Sequence, residues 1–231
     1  MNKTFGFIFA RGGSKGLHKK NILEIGGIPL LAHGIKIAQN LNDVETIFVS
    51  TDCEEIASIA KEYGAEVINR PKELATDIAS EWQAWKHAIN IVIEKYGQFD
   101  RFLSLPPTAP LRSKEDVERC LNALQSKIDL VVAITTAHRN PWFNMVIADN
   151  SMRLKLIGNN LTLNRRQDAP SCYDLTTVAY VSRPKFILES NSMWEGSVKG
   201  IEVPIERSID IDTEFDFKIA KLLMESSKIK K

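Results

Sequence analysis

Two hydrophobic periods alternate along the first 135 residues of the chain. Short runs of apolar, β-branched and aromatic residues predict buried strands, and the amphipathic stretches between them predict helices. The predicted strands cover residues 4–9, 46–50, 66–69, 101–105 and 130–135, and the predicted helices cover 29–40, 54–63, 80–96 and 113–124. This alternation with short connections is typical of an α/β fold with a doubly wound, mostly parallel sheet. In such folds ligands bind outside the carboxyl ends of the strands.

Residues 139–170 break this pattern. They contain Asn-Pro, Asp-Asn and Gly-Asn-Asn turn sequences between short β-type pieces at 144–148 and 153–157. We interpret the segment as a β-hairpin-like insertion that contacts a second subunit. Strands predicted at 176–182 and 200–203 and a helix at 214–226 complete the chain. We therefore predict a single domain over 1–231, with an insertion at about 139–170.

Composition narrows the classes of partner. The 231 residues carry 30 basic and 29 acidic side chains, so no overall field favours nucleic acid or a membrane surface.

Cys53, Cys120 and Cys172 lie far apart and form no Cys-x-x-Cys pair, which disfavours a disulfide framework or a structural zinc site. No apolar run approaches the roughly 20 residues of a membrane-spanning helix, and the N-terminal apolar run is too short for a signal peptide. We expect a cytoplasmic protein.

A basic, glycine-rich turn follows the first predicted strand. Its glycines allow the chain to bring N–H groups close to an anion, and Arg11, Lys15 and Lys20 supply positive charge. The P-loop motif Gly-x4-Gly-Lys-Ser/Thr does not occur in this turn. The dinucleotide motif Gly-x-Gly-x-x-Gly is also absent, because Arg11 stands two residues before Gly13. The turn thus favours polyphosphate binding without a P-loop or a dinucleotide motif. A tight connection with exposed lysines is the structural alternative.

Three further polar clusters follow predicted strands. Thr51 and Asp52 come directly after a buried strand, where they either contribute to a ligand site or cap the next helix. Arg70 directly follows a predicted strand, where its guanidinium can make two hydrogen bonds to a nucleotide base or to a phosphate. The alternative is an ordinary surface arginine. The proline-rich segment 105–112 is either a rigid connector or a preorganised pocket wall.

Two carboxylates near the C-terminus suggest a metal. In an extended segment Asp210 and Asp212 project from the same face, where their mutual repulsion requires a cation. Hard oxygen ligands beside a triphosphate favour Mg²⁺. The alternative is that Asp212 or Thr213 caps the last helix, which accounts for one carboxylate and not for both.

Together these segments resemble the acylneuraminate cytidylyltransferases, also called CMP-sialic acid synthetases, over essentially the whole chain. The motifs that carry the resemblance are, in order, Ala10-Arg11-Gly12-Gly13-Ser14-Lys15-Gly16 with Lys20-Asn21, Ser50-Thr51-Asp52, Arg70-Pro71 with Asp77, Pro107-Thr108-Ala109-Pro110-Leu111-Arg112, Arg166-Gln167 and Asp210-x-Asp212. The resemblance implies a Rossmann-like nucleotidyltransferase fold with an insertion that reaches across a homodimer. It also implies CTP, Mg²⁺ and a nonulosonic acid as the ligands.

The resemblance assigns roles to individual residues. It implies that CTP contacts Ala10, Arg11, Gly12, Gly13, Ser14, Lys15, Lys20, Asn21, Arg70 and Ser80. It implies that Arg11, Lys15, Lys20 and Asp212 serve catalysis and that Asp210 and Asp212 hold Mg²⁺. For the acceptor sugar it indicates Thr108, Arg165, Arg166, Gln167 and Thr176, with the arginines serving the neighbouring subunit.

Two departures from the family pattern lie on the sugar side. Pro106 stands where the family commonly has glutamine, and Thr176-Thr177-Val178 replaces an Asn-Gly-Ala segment. The predicted reaction is transfer of CMP from CTP to a nine-carbon α-keto sugar acid of the sialic, legionaminic or pseudaminic type. A Kdo cytidylyltransferase and a non-catalytic CTP-binding regulatory module are the alternatives. A hexose-1-phosphate nucleotidyltransferase fits the fold, but the order of the motifs argues against it.

Overall fold

The computed structural model describes residues 3–13, 16–158 and 165–229. The strands in this part of the chain are β1 (Thr4–Phe9), β2 (Glu24–Ile25), β3 (Ile28–Pro29), β4 (Val44–Thr51), β5 (Glu66–Asn69), β6 (Arg101–Ser104), β7 (Leu130–Thr136), β8 (Val146–Ala148), β9 (Leu154–Leu156), β10 (Tyr173–Ser182) and β11 (Val198–Glu202). The helices are α1 (Leu30–Gln39), α2 (Glu54–Glu62), α3 (Glu81–Tyr96), α4 (Lys114–Ala123), α5 (Pro184–Glu189) and α6 (Glu214–Ile229). None of the helices in the described ranges combines the length and hydrophobicity needed to cross a bilayer.

The main sheet has the strand order β11-β7-β10-β6-β1-β4-β5. β1 pairs in parallel with β4 and β6, and β4 with β5, so the carboxyl ends of these strands meet at one edge. β10 runs antiparallel to both of its neighbours, β6 and β7. The predicted mostly parallel α/β sheet is therefore confirmed.

Apolar side chains cover both faces of this sheet. On one face Phe5, Phe7, Phe48 and Phe102 pack with Trp82, Trp85 and Ile89 of α3. On the other face strand residues such as Ile8, Val49 and Leu103 pack against α1, α2 and α4. Strands covered on both faces read as continuous apolar runs, which is why the sequence pattern located them.

A smaller apolar cluster fixes the segment before α6. Ile211 is fully buried and packs with Ile25, Leu30 and Ala220, so that the β2–β3 hairpin, α1 and α6 hold the residue between the two candidate metal ligands. The hairpin itself was not predicted, because two-residue strands leave no periodic signal.

Local signals set several boundaries as predicted. β1 and β5 have the predicted bounds. Ser113 and Asp116 form a capping box at the start of α4, in which the Ser113 hydroxyl accepts from the Asp116 N–H and the Asp116 carboxylate accepts from the Ser113 N–H. Gly64 and Gly97, which follow α2 and α3, adopt positive φ.

The insertion contains an antiparallel hairpin of β8 and β9, in agreement with the prediction for 139–170. Its apolar side chains are exposed, including Ile147, Met152 and Leu154. Arg166 begins a short 3-10 turn that ends at Asp168, just before β10.

Candidate active site

A polar cavity of about 560 Å³ opens at the carboxyl ends of β1, β5 and β6. It is lined by Phe9, Arg11, Gly16, Lys20, Asn21, Arg70, Leu74, Thr76, Asp77, Ala79, Ser80, Glu81, Ala84, Pro106, Pro107, Thr108, Thr177, Asp210 and Asp212. This is the edge at which a doubly wound sheet is expected to bind its ligand. One cavity thus brings together the basic turn, the proline-rich segment and the two carboxylates.

The basic turn presents two described cations to the cavity. Lys20 donates to the Asp212 carboxylate at 2.8 Å, and Arg11 makes an ion pair with Asp77 at 2.8 Å. Asn21 is buried and donates its side-chain amide to the Arg11 carbonyl at 3.0 Å, which holds the two ends of the turn together. Ser14 and Lys15, predicted to contact CTP, lie outside the described residues.

Asp52 shapes this turn and does not cap α2. Its carboxylate accepts the Gly12 N–H at 2.9 Å, whereas the N-cap of α2 is Cys53, which makes no side-chain cap bond. The Gly12 N–H is therefore already satisfied by the protein. Ala10, which begins the predicted CTP motif, is buried and donates its N–H to the Ser50 carbonyl at 3.1 Å. Gly13 has open space where a Cβ would stand.

Gly16 allows the turn to approach the main chain of Asp212 closely. A Cβ at this position would collide with the main-chain oxygen of Asp212, so a side chain there requires the backbone to move. The Gly16 position was predicted only as part of a motif, and the structure gives it a steric reason.

Arg70 is a buried arginine rather than a surface one. It is 9% exposed, donates to the Ser50 hydroxyl at 3.1 Å and to the Ser50 carbonyl at 2.7 Å, and lies over the Phe9 ring. Burial lowers the pKa of its guanidinium to about 10, so the group remains charged at neutral pH. β4 and the end of β1 thus fix a cation on the cavity wall.

The segment from Thr76 to Glu81 forms the rim beside Arg11. Ser80 is the N-cap of α3 and lines the cavity together with Glu81, the first residue of the helix. Glu81 was not predicted as a site residue. The residue is solvent-exposed at the cleft, yet the neighbouring protein desolvates its carboxyl and raises the pKa of that group, with Asp210 adding repulsion and the Trp85 side chain and Arg70 opposing.

Asp210 and Asp212 line the same cavity, as their spacing predicted. The Asp210 Oδ1 atom is buried without a hydrogen-bond partner in the described part of the protein, and Asp212 bonds Lys20. Thr213, not Asp212, initiates α6, because its hydroxyl accepts the Asp216 N–H at 3.3 Å while Asp216 accepts the Thr213 N–H at 2.8 Å. Thr213 therefore provides the cap, and neither the Asp210 nor the Asp212 carboxylate takes part in it.

Two threonine hydroxyls belong to the part of the cavity wall that is built from β10 and the segment after β6. Thr108, in the proline-rich segment, lies 3.2 Å from Thr177 of β10, oxygen to oxygen. The predicted Thr176 is buried and donates its hydroxyl to the Ala133 carbonyl, within the sheet. Because neighbouring strand residues face opposite sides, Thr177 and not Thr176 lines the cavity.

Among the described side chains of the insertion, the predicted sugar contacts Arg165 and Gln167 do not line this cavity within one chain. Arg165 is exposed and pairs with Asp168 at 2.9 Å, and Gln167 is also exposed. Arg166 belongs to the same short turn. The structure thus brings most of the predicted nucleotide and metal residues together, but leaves Arg165 and Gln167 outside.

Comparison with known proteins decides the family. Residues 5–138 match the cytidylyltransferase family model. The chain is also 37% identical to the CMP-N,N'-diacetyllegionaminic acid synthase of Campylobacter jejuni, over 94% of this chain and 93% of that protein. The chain belongs to the cytidylyltransferase family.

Other relatives of this cytidylyltransferase agree with that assignment. It is 35% identical to the post-translational flagellin modification protein B of Campylobacter coli, over 99% of this chain and 98% of that protein. It is 30% identical to the N-acylneuraminate cytidylyltransferase of Escherichia coli, but it spans only about half of that longer protein, 51%. The predicted resemblance to acylneuraminate cytidylyltransferases is confirmed.

Solved structures support the fold. A CMP–2-keto-3-deoxy-manno-octonic acid synthetase in complex with CTP superposes with a TM-score of 0.74, covering 97% of this chain and 99% of the other. Its sequence identity is 17%, so the likeness shows the nucleotidyltransferase fold of this cytidylyltransferase and nothing about its acceptor.

Proposed function

We propose that this cytidylyltransferase transfers CMP from CTP to the anomeric hydroxyl of a nine-carbon α-keto sugar acid of the sialic, legionaminic or pseudaminic type. The observation that carries the proposal is the single cavity in which Arg11, Lys20 and Arg70 face Asp210 and Asp212. Relatives at 30–37% identity are named for N-acylneuraminate and diacetyllegionaminic acid. These names support a nonulosonic acid over Kdo as the acceptor.

The nucleotide side of the cavity supplies charge and fixed hydrogen-bonding groups. Arg11 and Lys20 neutralise the phosphates, with Lys15 as a third cation of the same turn. Arg70 is fixed by Ser50 and presents a buried positive charge to the nucleotide, beside Ser80 at the N-terminus of α3. An anion beside a helix N-terminus is further favoured by the helix dipole.

The donor set of Asp210 and Asp212 fits Mg²⁺. Magnesium in nucleotide sites is usually held by one or two carboxylates together with phosphate oxygens and water. The buried, unpartnered Oδ1 of Asp210 is an oxygen that requires a cation or a donor, and Asp212 lies on the same cavity. When bound there, Mg²⁺ supplies Lewis-acid stabilisation of charge on the phosphates.

The chemistry is a displacement at the α-phosphorus. The anomeric oxygen of the acid forms the new P–O bond and releases its proton to solvent, while the bond to the β-phosphate breaks and pyrophosphate leaves with the electron pair. Arg11 and Lys20 serve to neutralise the negative charge that develops on the leaving group. Removal of one preorganised charge contact of this kind costs on the order of 3 kcal/mol, roughly a hundredfold in rate.

The acceptor site uses Thr108 and Thr177 from one subunit. Arg165, Arg166 and Gln167 complete it from a second copy of the chain, in line with the position of Arg165 and Gln167 outside the cavity of one chain. The exposed apolar residues of the β8–β9 hairpin form the surface that a second copy covers, since an exposed apolar patch marks an interaction site. The chain thus functions as a single domain in a homodimer, with 139–170 as its dimerisation insertion.

A panel of acceptors tests this proposal. CTP- and Mg²⁺-dependent pyrophosphate release is measured with N-acetylneuraminate, N,N'-diacetyllegionaminate, pseudaminate and Kdo. Release with a nine-carbon acid supports the proposal and identifies the acceptor. Release with Kdo alone makes the protein a Kdo cytidylyltransferase, and CTP binding without release from any acid favours the non-catalytic module.

A further inference from the structure

Arg112 lies behind the active-site wall formed by Thr108 and Thr177, and it contacts the carbonyls of Pro106 and Thr177. Its side chain is 4% exposed, and it has no carboxylate within ion-pair distance among the described residues. Burial lowers the pKa of its guanidinium to about 9, with Asp210 providing a weaker opposing attraction. A buried charge without a paired acid is costly, so its retention calls for a specific role.

The guanidinium bridges a gap in the sheet. The antiparallel ladder between β6 and β10 ends at the pair Ser104 and Tyr180. It does not continue to Pro106, because proline has no N–H to donate. Arg112 donates to the Pro106 carbonyl on one side of the gap and to the Thr177 carbonyl, at 3.1 Å, on the other. The arginine thus joins two chain segments that the ladder leaves apart.

The bridged segments carry the active-site wall and adjoin the metal carboxylates. Thr108 lies two residues beyond Pro106, and its hydroxyl contacts that of Thr177. The Thr108 carbonyl accepts the Ile211 N–H at 2.9 Å, and Ile211 stands between Asp210 and Asp212. A continuous set of hydrogen bonds therefore runs from Arg112 through the wall to the segment that holds both carboxylates.

We propose that Arg112 is a positioning residue, which sets the distance between the acceptor wall of Thr108 and Thr177 and the carboxylates of Asp210 and Asp212. This inference rests on the proposed function for its catalytic consequence. Arg11 and Arg70, the proposed nucleotide contacts, follow β1 and β5, whereas Thr108 and Thr177 belong to the β6 and β10 side of the sheet. Loss of Arg112 should therefore affect the acceptor and the chemical step more than CTP binding.

Two substitutions and one control test this role. Arg112→Met keeps an unbranched, flexible side chain but removes the guanidinium donors, and Arg112→Lys keeps a donor that reaches fewer carbonyls. Arg207→Met is the matched control, because Arg207 pairs with Asp116 at 2.7 Å and does not line the cavity. Amide hydrogen exchange is measured on all three and on the parent, together with steady-state kinetics for the acid that gives turnover.

The expected result is selective. Arg112→Met accelerates exchange at the amides of Thr108, Ala109 and Leu111 and of residues 175–178 and 209–213. It lowers kcat roughly a hundredfold and raises the KM for the acid, while the KM for CTP changes by less than about twofold. Arg112→Lys restores part of kcat. Arg207→Met lowers thermal stability without this selective pattern.

Other outcomes overturn the proposal. Parent-like exchange in Arg112→Met contradicts it, and so does accelerated exchange throughout the protein with equal changes in both KM values, because that pattern shows a purely structural role. If the parent enzyme shows no turnover with any acid, the proposed function fails, and the exchange data alone still decide whether Arg112 positions the wall.

Discussion

Lys20 and Asp212, 192 residues apart in the chain, form an ion pair of 2.8 Å across the cavity. Lys20 is held in a short 3-10 turn after the basic loop, and its side chain is 15% exposed. Asp212 follows the buried Ile211 and is 70% exposed. The pair therefore joins the basic turn to the candidate metal ligand, and both side chains line the cavity.

Replacement of Lys20 tests the charge that this pair supplies. Lys20→Met is expected to lower kcat/KM about a hundredfold, since one preorganised contact to the reacting phosphates is lost. The melting temperature should change little, because an ion pair with one exposed partner contributes about 1 kcal/mol or less to stability. Lys19→Met is the matched control: Lys19 pairs with Glu55 at 2.6 Å and does not line the cavity. Equal activity of the two variants would contradict the role of Lys20.

Replacement of Arg70 by lysine tests whether CTP binding requires a planar guanidinium or only a positive charge. Arg70→Lys keeps the charge but cannot bond the hydroxyl and the carbonyl of Ser50 in the same geometry. We expect CTP affinity, measured by calorimetry, to fall by roughly tenfold or more, which corresponds to about 1.4 kcal/mol. Unchanged affinity for CTP would place the nucleotide elsewhere in the cavity.

Ionisation of Glu81 should make the stability of the folded protein depend on pH. Desolvation raises the pKa of its carboxyl in the folded protein, so ionisation is harder in the native state than in the unfolded chain. This group therefore lowers stability as the pH rises above its unfolded pKa of about 4.3. Glu81→Gln should melt at a higher temperature than the parent at pH 8, and the difference should vanish near pH 4.

Glu115 provides the control of opposite sign. Backbone and Ser113 hydrogen bonds lower the pKa of its carboxyl, so ionised Glu115 favours the folded state. Glu115→Gln should thus be less stable than the parent at pH 8. The assignment for Glu81 is wrong if its substitution also destabilises the protein at that pH.

The apolar hairpin predicts a dimer. Ile147 and Leu154 are 59% and 61% exposed, and a homodimer would bury both. Ile147→Asp with Leu154→Asp should produce a monomer in light scattering and reduce turnover with the acid. Leu222→Asp, an equally exposed apolar site on α6, should leave the mass unchanged. A parent protein that is monomeric at the assay concentration would refute the dimer.

Hydrophobic periodicity predicted most of the sheet because buried parallel strands form uninterrupted apolar runs. The antiparallel direction of β10 could not be predicted, since direction depends on the path of the insertion rather than on local pattern. The short hairpin of β2 and β3 and helix α5 were missed because they contain too few residues to show a period.

The candidate site was predictable where charged residues follow strands, as with Arg11 and Arg70, and where two carboxylates alternate in an extended segment, as with Asp210 and Asp212. The choice between Thr176 and Thr177 depends on the register of β10, which is irregular between Leu175 and Tyr180. The pattern of residues does not report such an irregularity. Glu81 was missed because its chemistry arises from desolvation in the cleft, which only the tertiary structure reveals.

Identification of the reaction product is the decisive test of cytidylyl transfer to a nonulosonic acid in this cavity. The parent enzyme and Asp210→Asn are incubated with CTP, Mg²⁺ and N,N'-diacetyllegionaminate, N-acetylneuraminate or pseudaminate, and the products are identified by mass spectrometry. We predict that a CMP-linked sugar acid accumulates with the parent and forms roughly a hundredfold more slowly with Asp210→Asn. A folded parent protein that binds CTP but yields no CMP-linked product from any of the three acids would contradict the account.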